Sequence, residues 1–495
     1  MSNPLRFSME FGRPDPASRP APGQPLRILL MTDLGETCNS RADKPAETRP
    51  IVPMDIDRFE DYLGAERPSL PTDSGGIEIR ELEDFHPDQI FRVLPEFQKL
   101  KDLKRRLKSP SSFEAAAQEV RAMLQDAPAA EAPGPEPSPE SDDDTLSRLF
   151  GKSSGATATP TAQAPQSSFL TGLIQKAVAD HIVAESDPRA EHYVAAIDAA
   201  ATTRMRAILH DPGFQALEAS WRGLDMLISQ VETDEELQIF LWNVSKAELV
   251  EALGPEDSEA TQSLLFRRLV EQREEAPLSL LVSDIAFGPA PDDLRLLDAL
   301  GALAGRTGAA VLASLTPEMV GATSWQALAD APESLGAPDV GWTALRAGAA
   351  ASQIAVFAPR FLMRTPYGKR LDPVEAFPFE ELERPAEDQA GFLWGAPALL
   401  ATVLIAQSYA RDGWAARLNA NRDYGDLPLV SYEADGVPQM KPCAEALLPE
   451  RAAESLVRLG PVPLVAMRNG NAVRLPWFQT IADGDAEGRL GPFAT

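Results

Sequence analysis

Two cysteines and four histidines in 495 residues leave little material for metal or redox chemistry. Cys38 and Cys443 stand at opposite ends of the chain with no zinc or dithiol spacing, which fits a reducing compartment. No two histidines are spaced i, i+4. His181 and Glu185 have that spacing, but one such pair is a surface contact on a helix rather than a ligand set. Basic residues are also scarce, with 46 Lys and Arg against 74 Asp and Glu and a net charge of -28. Phosphate binding needs clustered cations, so nucleic acid is not an expected partner. Met1 to Glu10 has no apolar core of a secretory signal. The most apolar run, Ala398 to Ala406, is far short of a membrane span. Gly151-Lys152-Ser153 suggests a phosphate loop, but Leu146 stands where the motif needs its first glycine. The expectation is a soluble, acidic, cytoplasmic protein without cofactor, metal site, catalytic residues or membrane insertion.

The chain is long enough for two or three domains. Residues 1–24 read as a flexible lead-in. Leu26 to Met31 and Ile77 to Arg80 read as strands, and helical spacing follows from Pro87, broken at Pro95. Lys104 to Lys108 suits a helix C-terminus, and Phe113 to Leu124 is a further helix. Asp126 to Thr145 holds five prolines, seven acids and no base. Such a segment buries too little apolar surface to offset chain entropy, so 126–167 reads as a disordered linker. Within it Leu146, Leu149 and Phe150 form a short amphipathic turn, the pattern of a docking peptide.

From residue 168 to 480 helices and strands alternate. Phe169 to Ala184 is a predicted helix, Leu237 to Asn243 a buried strand, and Pro277 to Asp284 a strand ending in an acid. A helix over Asp292 to Ala304 and a strand over Ala309 to Ala313 follow. The alternation predicts a parallel sheet covered by helices. Asp284, at a strand's carboxyl end, lacks a glycine-rich loop or nucleophile beside it and is expected to cap a helix or pair with a base. Residues 481–495 look loose. The fold class is α/β (α+β): a small N-terminal α/β domain at 25–125 tethered to a larger mixed α/β domain.

One word organises the larger region. In Ile208 to Leu224 a helix ends near His210, Asp211-Pro212-Gly213 reads as a turn, and a second helix opens at Phe214. Leu217, Trp221 and Leu224 share a face, and Glu218 and Arg222 make an i, i+4 pair. A second word, Pro359-Arg360-Phe361-Leu362 with Arg364, Pro366, Tyr367 and Gly368, is followed by Phe377-Pro378-Phe379-Glu380-Glu381 and Leu393-Trp394-Gly395. Arg360 and Arg364 are expected to hold Glu380 or Glu381, or an acid of a neighbouring copy.

These words resemble the large sheath subunit of type VI secretion systems (TssC, VipB or ImpC), as does Arg458 to Leu464. The run Ile51 to Glu60 and the Asp84-Phe85-His86-Pro87-Asp88 element, with its leucine-rich helix ending in Arg105-Arg106-Leu107, resemble the small subunit (TssB, VipA or ImpB). The resemblance implies a fusion of two subunits that are usually separate: a structural part of a contractile sheath that surrounds an inner tube and propels it. The partners it implies are copies of itself or other sheath subunits, the inner-tube protein, a ClpV-type unfoldase and baseplate proteins. Leu146, Leu149 and Phe150 are the candidate docking point for that unfoldase. The sheath family's C-terminal region finds no match after residue 480, so a sheath-derived accessory, capping or baseplate-associated protein is the second expectation, and an unrecognised α/β enzyme the third.

Overall fold

Leu26–Thr32 (β1) is a run of aliphatic residues buried at every position but Arg27. A strand buried on both faces belongs inside a covered sheet rather than at an edge. The computed structural model, which describes residues 23–41, 44–109, 111–125, 190–255, 263–334, 336–386, 388–434, 437–484 and 489–494, places it there. Six further strands complete that sheet: Val52–Met54 (β2), Leu237–Asn243 (β3), Leu280–Phe287 (β4), Ala310–Leu315 (β5), Ile354–Ala358 (β6) and Val462–Pro463 (β7). Their order is β7-β6-β5-β4-β1-β3-β2. β1 runs parallel to β3 from Leu26↔Leu237 to Thr32↔Asn243, and parallel to β4 from Ile28↔Leu280 to Met31↔Ser283. Only β2 is antiparallel, on β3. Both edge strands are short and each carries a proline, which blunts pairing with another sheet.

The described residues form two compact units that do not follow sequence order. One draws on Met1–Pro71, Gly76–Ile90 and Arg206–Thr495, the other on Thr72–Gly75 and Phe91–Met205. The first contains the seven-stranded sheet. On one face, Leu29 and Met31 of β1 and Val311 and Ala313 of β5 pack with Leu296, Leu297 and Leu300 of the helix Pro291–Thr307. Alternation turns Ile28, Leu30 and Thr32 to the opposite face, where the helix Pro212–Ser229 lies, with Ser220 bonded to Asp284 of β4. The second unit is helical. In it Pro95–Lys108 packs on Phe113–Gln125, with Arg106 bonded to Glu119 at 2.6 Å. Lys104 Nζ meets Asp198 Oδ1 at 2.5 Å, and Arg204 Nε reaches the buried Glu96 at 2.8 Å.

Local boundaries differ from the expectations in instructive ways. Asp211-Pro212-Gly213 is a helix start and not a free turn: Asp211 is the N-cap, accepting from Phe214 N–H at 3.0 Å, and Pro212 occupies the first turn, where its missing N–H costs nothing. The strand expected at Ile77 to Arg80 lies at Gly75–Glu78. β4 does not end at Asp284 but continues to Phe287. The predicted helix Phe169 to Ala184 lies outside the described residues.

Candidate functional site

The carboxyl end of β1 leads into a joint between the N-terminal region and the elements after residue 206. Leu34 donates its N–H to Asn243 Oδ1 at 3.1 Å and accepts at its carbonyl from Trp221 Nε1 at 3.2 Å. Trp221 is fully buried, with Phe59 edge-on at 6.1 Å and Tyr62 tilted at 6.0 Å between ring centroids. Both belong to the helix Ile56–Glu66, so the motif tryptophan is the hub on which that helix seats. Gly223, two residues on, lets its helix approach Pro397–Asp412; a Cβ there would stand 2.6 Å from Leu399 Cδ1.

Charge joins the same two regions. Glu248 closes a capping box with Ser245 at the start of the helix Lys246–Leu253. Arg49, 1 % exposed, donates from Nη2 to Glu248 Oε1 at 2.7 Å and from Nη1 to the Asn243 carbonyl at 2.6 Å. Arg41 Nη2 lies 2.9 Å from Glu248 Oε2. Burial alone would raise the Glu248 pKa, but the Arg49 bond, the Ser245 N–H and the Arg41 charge bring it down to about 2.

The two motif words meet in a second buried cluster. Glu218, with no exposed surface, accepts from Arg222 Nε at 2.7 Å, the i, i+4 pair expected from spacing. It also accepts from Arg364 Nε at 2.8 Å, while Arg364 Nη1 reaches Glu381 Oε2 at 2.8 Å. Glu381 further accepts from the Tyr367 N–H at 2.7 Å, and the Arg364 guanidinium stacks 4.1 Å from the Tyr367 ring centroid. Burial works against the charge on both Glu218 and Arg364, yet the opposite charges win: the acid is held below its usual range and the base above. His86 also packs edge-on with Tyr367 at 4.9 Å, and Asp88 accepts from the Ala376 N–H at 2.8 Å. The Asp-Phe-x-Pro-Asp element is thereby tied to the loop around Tyr367.

Among the residues singled out from sequence, Arg364 holds Glu381 as expected and Glu218 in addition. Arg360 does not: both its Nε and Nη2 bind Glu445, at 2.9 and 2.8 Å, because the backbone beside it pairs with that segment. Among the described residues Asp284 neither caps a helix nor pairs with a base. It accepts from Thr32 Oγ1 at 2.5 Å and Ser220 Oγ at 2.9 Å, and burial pushes its carboxyl up to about 6. Leu146, Leu149 and Phe150, like His181, lie outside the described residues. Arg49 and Thr32 carried no sequence signal. Arg49 sits in a Thr-Arg-Pro loop whose partner lies far along the chain, and Thr32 is one more residue at a strand's end. Among the described residues no helix is long and apolar enough to cross a membrane, and no group of acids, histidines and cysteines is arranged to hold a metal.

Comparison with known proteins follows the two halves of this joint. Residues 191–480 match the VipB family model, described as the tail sheath N-terminal domain, and residues 22–132 match the VipA family of type VI secretion systems. The type VI secretion system sheath protein TssC1 of Pseudomonas aeruginosa is 33% identical over 292 residues, which cover 56% of this chain and 58% of that protein. The chain therefore spans somewhat over half the length of the curated relative it matches. A small-subunit-like and a large-subunit-like region are carried on a single polypeptide.

Proposed function

The chain belongs to the VipB tail sheath family, and from that premise we propose that it is a structural subunit of a type VI secretion contractile sheath. What supports this most is the course of β1, a strand of the VipA-type region lying between two strands of the VipB-type region. The two regions thus share one hydrophobic sheet, the stiffness a load-bearing block requires. A block that meets its neighbours through heterologous, non-closing contacts builds a helical tube, and contraction is passage to a second set of those contacts. Carrying both regions on one chain fixes their ratio and raises their effective concentration.

In this proposal the output is force and not bond-making, and the protein works in the cytoplasm around an inner-tube protein, with baseplate proteins at one end. Leu146, Leu149 and Phe150 serve as the docking turn for a ClpV-type unfoldase. A peptide spanning 141–154 binds the unfoldase's N-terminal domain if so, and failure to bind removes that assignment. For the whole proposal the test is electron microscopy of the purified chain co-expressed with the organism's inner-tube protein. Long tubules are the expected result; uniform discrete particles overturn it in favour of an accessory or capping role.

A further inference from the structure

A crevice of about 610 Å3 opens at the carboxyl ends of β1 and β4, within the unit that holds the sheet. From β1 the chain builds outward to β3, whereas from β4 it builds through the helix Pro291–Thr307 to β5 on the other side. The helix before β3, Pro212–Ser229, and the helix after β4 cover opposite faces of the sheet. Neighbouring strands whose connections diverge in this way leave a gap beyond their ends, and α/β proteins bind ligands in such gaps. The volume lies within the roughly 300–1,000 Å3 usual for small-molecule sites.

Three features show that the crevice is built for a particular chemistry. The register between β4 and β5 shifts between Val282 and Ala286, a bulge that contains Asp284. Asp284 lines the crevice, fixed by the hydroxyls of Thr32 and Ser220. Ser314 of β5 also lines it; only 2 % exposed, its Oγ has no hydrogen-bond partner among the described residues. A buried hydroxyl without a partner is uncommon and calls for one. Charge decides the ligand's sign. Asp33, itself paired with Arg41, and Glu36 join Asp284 in the wall, while Arg360, the cation in it, is committed to Glu445 through two bonds. The rest of the wall is largely apolar, with Leu217, Trp394 and Leu399.

We propose that this crevice binds a small organic cation, a primary ammonium or guanidinium on a short aliphatic chain. The head group sits against Asp284 and donates to Ser314 Oγ; the aliphatic body covers Leu217, Leu399 and Trp394. Burial keeps the Asp284 carboxyl up at about 6, as expected of an acid with no counter-charge beside it. Thr32 and Asp33 come from the VipA-type region, and Ser220 and Asp284 from the VipB-type region, so a bound cation ties the two together. None of this depends on whether the chain polymerises.

The test uses the full chain with n-hexylamine as probe and 1-hexanol and hexanoate as controls. Binding is read by saturation-transfer NMR and by the thermal unfolding midpoint, in about 0.15 M salt to screen general attraction to an acidic protein. Saturable hexylamine binding is expected, with hexanol at least tenfold weaker and hexanoate silent. Asp284→Asn should weaken hexylamine at least tenfold. Ser314→Ala, which removes the unpartnered Oγ, should weaken it at least threefold and serves if the first variant does not fold. Equal binding of hexylamine and hexanoate, no saturable binding to the wild type, or undiminished binding by the folded variants would each overturn the assignment.

Discussion

Arg49 donates to Glu248 across 199 positions of sequence, at 2.7 Å, from a side chain almost wholly removed from water. Removing either partner leaves the other's charge or hydrogen bonds unmet in a poorly solvated place. Arg49→Ala is therefore expected to cost about 3 kcal/mol in urea unfolding. Arg49→Ala and Glu248→Ala together should cost less than the sum of the two singles, by about 1–2 kcal/mol, as residues in direct contact do. Strict additivity would mean that the pair does not couple the two regions.

Arg364 makes a second prediction, because its value lies in geometry as well as charge. Its guanidinium spans Glu218 and Glu381 and stacks on Tyr367. An ammonium keeps the charge but cannot fork between two carboxylates or lie flat on a ring. Arg364→Lys should lower stability by about 2–4 kcal/mol by urea unfolding. Near-wild-type stability would contradict the role assigned to the fork.

Trp221 tests the hub. Trp221→Ala should cost about 3–5 kcal/mol for the lost volume. Trp221→Phe keeps most of the packing but leaves the Leu34 carbonyl with the Cys38 S–H as its side-chain donor, at about 1 kcal/mol. Hydrogen exchange at Leu34 and in Ile56–Glu66 should quicken in both variants, and unchanged exchange there would separate Trp221 from the N-terminal region.

Stability should respond to pH with two opposite signs. Glu248 is depressed to about 2, so its contribution is full above its unfolded value of 4.5 and is lost as pH falls from there toward 2. Asp284 and Asp298 are raised by burial to about 6 from 3.8. Their protonated forms favour the fold, and that contribution is lost as pH rises from about 4 through 6. The urea midpoint should therefore rise between pH 7 and 5 and fall below about 4.5. Asp284→Asn should flatten the upper limb; an unchanged limb would place that titration elsewhere.

Much of the fold was legible in the residues. Continuous apolar runs located β1 and β3 nearly to the residue, and strand-helix alternation announced parallel pairing. The i, i+4 spacing of Glu218 and Arg222 gave their contact outright. What sequence could not supply was pairing across distance. An aliphatic run such as Leu26 to Met31 looks the same wherever its neighbours come from, and those neighbours, Leu237 and Leu280, lie more than two hundred positions away. Asp284 looked like a strand's end because an acid in an apolar run costs burial energy. Two hydroxyls from other elements offset that cost, and spacing along one strand cannot reveal them. The motif words point Arg360 to Glu380 or Glu381, or to an acid of a neighbouring copy, whereas Glu445 reaches it through pairing of distant segments.

The placement of β1 is the claim on which the rest depends, and cutting the chain tests it directly. A protease site introduced between residues 141 and 145, in the acidic segment between the two matched regions, allows cleavage after folding. Size-exclusion chromatography in non-denaturing buffer should then recover both pieces together in a one-to-one ratio, with Leu26–Thr32 amides still protected from exchange. Pieces that separate, with the larger remaining folded and its β3 and β4 amides still protected, would contradict it.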